Sequence, residues 1–104
     1  MNSDIKPLLS PWHPMSDPVD VKIAGKLLEE LGELASSVAR SLIQGIDECE
    51  PVSFKDNRDW VEEEVADVLA GIELLTARWK LDRKFIQERS IKKQAQLAEW
   101  HRQA

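Results

Sequence analysis

Four acids stand in this chain as two matched pairs: Glu30 and Glu33 in KLLEELGELAS, and Glu64 and Asp67 in WVEEEVADVLAG. Each pair is spaced i, i+3, so on a helix both carboxylates leave from the same side. At about 100° per residue, Leu27, Leu31, Leu34, Val38 and Leu42 form one apolar stripe, with Glu30 and Glu33 on its flank. On the second segment, Glu64 and Asp67 share a sector with Trp60, Gly71, Leu74 and Leu75. They therefore lie inside the stripe, level with a glycine that permits close approach. An uncompensated buried carboxylate is costly, and four carboxylates cannot pair with one another. A divalent cation resolves the problem, and an all-oxygen donor set suits Mg²⁺ or Mn²⁺. The only histidines are His13 and His101. Neither supplies the Glu-x-x-His element that di-iron helical bundles use. Glu29 stands close enough to reach a metal or a water, whereas Glu62 and Glu63 read as solvated charges.

The elements that must position these acids are helices. Ala, Leu, Glu, Lys, Arg and Gln dominate the 104 residues and glycine is scarce. Pro7, Pro11 and Pro14 predict an irregular arm over residues 1–16. Asp17 is a good N-cap, Pro18 fits the first helical position and Gly45 fits a helix stop, so a first helix is expected over about 18–44. Residues 45–57 read as a polar loop, longer than most helix–helix connections. Asp56 or Asn57 can cap a second helix over about 58–80, and Asp82 a third over about 83–102. The expectation is an all-α single domain of antiparallel helices. Its core is too small to close alone, and self-association completes a four-helix-type bundle.

Charge is unevenly distributed. Residues 1–77 carry 16 acidic and 6 basic side chains, net −10, whereas residues 78–104 carry 8 basic and 3 acidic ones, net +5. An acidic helix pair followed by a basic helix suits helices that attract one another. It also suits acids that hold cations beside bases that hold the anions those cations bridge. The overall charge of −5 argues against binding a nucleic-acid polymer. No run approaches the ~18 apolar residues of a membrane span, and the N-terminus lacks a signal-peptide pattern, so a cytoplasmic location is expected. Cys49 is the sole cysteine, which rules out an intramolecular disulfide.

EELGE (Glu29, Glu30, Glu33) followed by EVAD (Glu64 to Asp67) resembles the paired EExxE and ExxD signature of the MazG-like, all-α nucleoside triphosphate pyrophosphohydrolases. The resemblance covers about residues 19–95 and is nearest to small phage- or integron-type members. The interval between the motifs, residues 34–63, is somewhat long for the family. The resemblance implies Mg²⁺-dependent hydrolysis of a (deoxy)nucleoside triphosphate to the monophosphate and pyrophosphate, by a homodimer or homotetramer. It implies that Glu30, Glu33, Glu64 and Asp67 are metal ligands, and that Glu29 orients or activates the attacking water. Family members place bases on the last helix against the phosphates, which Arg89 and Lys92 or Lys93 match. Lys55, in the long loop, is a further candidate.

Trp12, His13 and Phe54 lie in irregular segments and resemble the family's base-contacting aromatics. Trp60, Trp79 and Trp100 are on helices and are expected in core or subunit contacts. Two alternatives remain: a non-catalytic helical assembly with a structural cation, and a pyrophosphohydrolase acting on phosphoribosyl-ATP.

Overall fold

The computed structural model describes residues 11–103; Ala104 and the first ten residues of the expected arm, Pro7 included, lie outside that range. Three helices follow in order: α1 (Pro18–Gln44), α2 (Asn57–Arg78) and α3 (Arg83–Gln103). Among the described residues the regular structure is all helical, as composition predicts. Asp17 caps α1 by accepting hydrogen bonds from the N–H groups of Val19 (2.8 Å) and Asp20 (3.4 Å), with Pro18 at the first helical position. Gly45, at φ 109°, ends the helix. Its positive φ suits a residue without a Cβ. Asp56 occupies the N-cap of α2 without a side-chain bond. Asp82 caps α3 by accepting from Phe85 N–H at 3.0 Å.

The end of α2 falls two residues short of the expected 80 because a Schellman turn forms there. Lys80 adopts φ 53°, Lys80 N–H donates to Ala77 O, and Leu81 N–H reaches back to Thr76 O at 3.0 Å.

Helices α1 and α2 pack against each other along their length. The seam on α1 runs Ile23, Leu27, Glu30, Leu34, Ser37 and Ser41; on α2 it runs Asn57, Val61, Glu64, Val68, Gly71 and Leu75. Every one of these is buried or half-buried. Steps of four and three alternate, which is the spacing of a coiled-coil seam. The pairing is antiparallel. At one end Asp20 accepts from Arg78 (2.8 Å) and from Trp79 Nε1 (3.2 Å). At the other, Asn57 Nδ2 donates to Gln44 Oε1 (3.1 Å) and Gly45 O (2.9 Å). Asn57 is 1 % exposed, so these bonds fasten the hairpin from inside. Midway, a Cβ on Gly71 would lie 3.0 Å from Leu27 Cδ1. The close approach that glycine allows is therefore the approach of α1.

The seam is not the leucine stripe that the wheel drew. Leu31, Val38, Leu42 and Leu74 are exposed, and Val68 is the only buried apolar residue among the described residues. The true seam lies to one side of that stripe and takes in Glu30. The loop 45–56 is ordered by its own bonds. Phe54 N–H donates to Glu50 O (2.7 Å) and Glu50 N–H to Lys55 O (2.9 Å). The Glu50 carboxylate accepts from Val52 (3.0 Å) and Ser53 (2.7 Å) N–H.

Helix α3 behaves differently. None of its residues is buried, and it is tied to α2 at its start by a two-pronged ion pair between Arg83 and Glu73, 2.7 and 2.8 Å. The radius of gyration is 19.6 Å, against about 13 Å for a compact chain of this length. No helix among the described residues is long and apolar enough to cross a membrane.

Candidate metal centre

The antiparallel register brings the two acidic motifs together at mid-seam. Oxygens of Glu30, Glu64 and Asp67 lie within 4.8 Å of one another, and so do oxygens of Glu29, Glu30 and Glu33. Glu30 belongs to both triads. Its residue is 8 % exposed because position 30 faces α2 on the seam. Glu64 is half-buried opposite it, whereas Glu29, Glu33 and Asp67 are exposed on the rim. One oxygen of Glu30 and one of Glu64, the Oε2 atom in each case, are buried and make no hydrogen bond.

Burial pushes the Glu64 carboxyl above its ordinary value, and the charges of Glu33, Asp67 and Glu30 push it further. Lys26 partly compensates from one turn earlier. Its Nζ lies 2.6 Å from Glu29 and 3.2 Å from Glu30. The hydrogen bond to Glu29, then that to Glu30, raises its pKa. A single exposed lysine leaves two buried oxygens unpartnered. A cluster that is all oxygen, anionic and short of donors fits a hard divalent cation.

The predicted substrate contacts divide. Lys55 stands 2.6 Å from Glu63 and 5.1 Å from the centroid of the Trp60 ring, on the hairpin that carries the acids. Phe54, at φ 63°, is exposed in the loop beside it. Trp12 is 93 % exposed and His13 is exposed too; neither is brought to the acids by a contact among the described residues. Arg89, Lys92 and Lys93 are exposed on α3 and make no salt bridge among the described residues. Trp60 and Trp79 are half-buried on the hairpin, whereas Trp100 is exposed and packs on His101.

Three residues of the site were not singled out from the sequence: Lys26, Ser37 and Arg40. Arg40 carried a signal. It follows Glu33 by seven residues, two helical turns, and so lies on the same face of α1. Its guanidinium stacks 4.4 Å from the centroid of the Trp60 ring.

No protein-family model, curated protein or solved structure matches this chain.

Proposed function

We propose that the protein hydrolyses (deoxy)nucleoside triphosphates to the monophosphate and pyrophosphate in a Mg²⁺-dependent reaction, as the motifs it shares with MazG-like enzymes imply. The observation that carries the reading is the mid-seam cluster, in which Glu30, Glu64 and Asp67 converge from two helices and two buried oxygens lack a partner. A hydrophobic pair at positions 30 and 64 would stabilise the seam better, so the sequence tolerates this cost for a use.

Glu30, Glu33, Glu64 and Asp67 would hold the cation, with Mn²⁺ able to replace Mg²⁺. When bound, it supplies charge neutralisation at phosphate oxygens and an acidified water. Glu29, exposed on the rim, accepts the proton as a water oxygen adds to the α-phosphorus. The bond from that phosphorus to the bridging oxygen breaks, and pyrophosphate leaves with the electron pair. The carboxylates cannot bind the triphosphate themselves. Arg89 and Lys92 or Lys93 supply that charge when α3 of a second copy lies along the acidic hairpin. The apolar residues exposed on α1, α2 and α3 favour such a homodimer or homotetramer, completing the four-helix-type bundle. Trp12, His13 and Phe54 would then close over the base.

The test is incubation with each nucleoside triphosphate and Mg²⁺, followed by separation of the products. Monophosphate with pyrophosphate is expected; orthophosphate release, or no turnover with any of them, refutes the reading. Turnover of phosphoribosyl-ATP alone would assign the related activity instead. Lys26 favours a second reading, because it already offsets part of the charge: the cation could be purely structural. In that case chelation lowers thermal stability and nucleotide has no effect on it.

A further inference from the structure

One turn beyond the carboxylates, toward the loop end of the hairpin, lies a cavity of about 90 Å³ lined by Glu33, Ser36, Ser37, Arg40, Trp60 and Glu64. Two of its lining groups are donors with nothing to donate to. Arg40 Nη1 and Trp60 Nε1 are buried and make no hydrogen bond. Burying an N–H without a partner is costly, more so when it is charged, so two in one small cavity call for an acceptor. The lining carboxylates of Glu33 and Glu64 take no hydrogen bond from either donor, and Glu64 Oε2 is itself buried and unbonded. Glu50 feels the charge of Arg40, but its carboxylate is taken up by the Val52 and Ser53 N–H groups. Ser37 Oγ donates to Leu34 O at 2.9 Å.

Positive charge gathers at the same place. The Arg40 guanidinium and the Lys55 ammonium stand 4.4 and 5.1 Å from the centroid of the one Trp60 ring. Two cations and an indole N–H beside a carboxylate cluster make a divided site, one part suited to a metal and the other to an anion. The cavity is well below the ~300 Å³ of the smallest pockets that take a whole ligand. It suits one compact group instead of a base or a sugar.

Building on the nucleotide reading above, we infer that Arg40 Nη1 and Trp60 Nε1 bind a phosphoryl oxygen of the substrate, with Lys55 adding charge at the rim. The hairpin thus carries phosphate-binding groups of its own, before any contribution from α3. Arginine is suited to this role because its planar fork presents paired donors to phosphate.

The probe is inorganic tripolyphosphate, titrated calorimetrically into the protein with Mg²⁺ present. Mg²⁺ alone and a nucleoside without phosphates are titrated in parallel. Arg40→Met is expected to weaken tripolyphosphate at least tenfold, as loss of a charge-assisted hydrogen bond predicts, and to leave Mg²⁺ affinity within twofold. Trp60→Phe keeps a ring and removes only the N–H; a loss of severalfold is expected. Arg40→Lys keeps the charge and should restore part of the loss, which controls for folding. Unchanged tripolyphosphate affinity in Arg40→Met and Trp60→Phe overturns the inference while the metal reading stands. A loss confined to the nucleoside would place a base carbonyl in the cavity, and overturns it as well. Absence of Mg²⁺ binding by the wild type refutes the metal reading and removes the ground for this one.

Discussion

Along the α1–α2 seam, polar side chains have been taken out of water: Glu30, Ser37 and Asn57 are buried there. On α3, by contrast, Phe85, Ile91, Leu97 and Trp100 stand exposed to it. Both regions reverse the ordinary preference, in which burial of apolar surface contributes about 25 cal/mol per Å². The reversal on the hairpin is offset locally. Asn57 is bonded at both ends of its amide donor, Ser37 bonds backward along its helix, and Asp20 gathers Arg78 and Trp79. Only the carboxylates, Arg40, Trp60 Nε1 and the Asn57 acceptor are left with an unmet valence. The reversal on α3 is offset by nothing among the described residues. The hairpin reads as a region with a site at its centre, and α3 as a region with a surface to be covered.

Replacing a seam acid should separate the two roles most sharply. Glu64→Gln removes a charge at nearly constant shape. It is expected to lower turnover by more than ~100-fold, while metal-free thermal stability stays level or rises, because a buried like-charge contact is relieved. A parallel fall in stability would mean that Glu64 is a structural residue of the hairpin. The counterpart on α3 is Phe85→Asp with Ile91→Asp. This variant should keep the helical content of the hairpin yet elute as a monomer where the wild type elutes as a dimer or larger, by light scattering on a sizing column. An unchanged mass would leave the face of α3 without the proposed partner.

Asn57→Ala probes the fastening instead of the site. Two buried hydrogen bonds are lost and Gly45 O loses its donor, so about 2 kcal/mol of stability should disappear in urea denaturation. The α3 variant should lose much less of the hairpin signal.

The smallest effect is the dependence on pH. The Glu64 carboxyl is held above its ordinary value of 4.5, so the folded protein keeps that proton at pH values where the unfolded chain has lost it. Metal-free stability should therefore rise as pH falls from neutral through the folded pKa toward about 4.5, and Mg²⁺ should abolish the trend. Below 4.5 the opposite contribution takes over. Asp20, Glu50 and Glu73 are held low, chiefly by Arg78, the Val52 N–H and Arg83 respectively. Their stabilisation is lost as they protonate. Melting temperature measured across pH with and without chelator would show both limbs.

Helix positions were legible in the sequence because their signals are local. Asp17 with Pro18, Gly45 and Asp82 act within a few residues, and the helices begin and end where they stand, apart from the two residues that Lys80 takes from α2. The convergence of the acids followed from their i, i+3 spacing on adjacent helices. The seam was harder to read. A wheel weighted toward leucine places Leu31 and Leu42 inward, but antiparallel packing through Gly71 and Asn57 rotates α1 so that Glu30, Ser37 and Ser41 face α2. That rotation depends on contacts between residues 12 to 44 apart, which no local pattern encodes. Arg40 and Trp60 were missed as a pair for the same reason. Each looks ordinary alone, and only the register sets one over the other.

The central claim is that the mid-seam carboxylates form a divalent-cation site. Titration of Mn²⁺ into the protein at neutral pH, with free Mn²⁺ followed by its paramagnetic resonance signal, tests it most directly. The account predicts saturable binding that Mg²⁺ competes away and that Glu64→Gln weakens at least tenfold. Non-saturable uptake, or equal binding by the wild type and the variant, would contradict it.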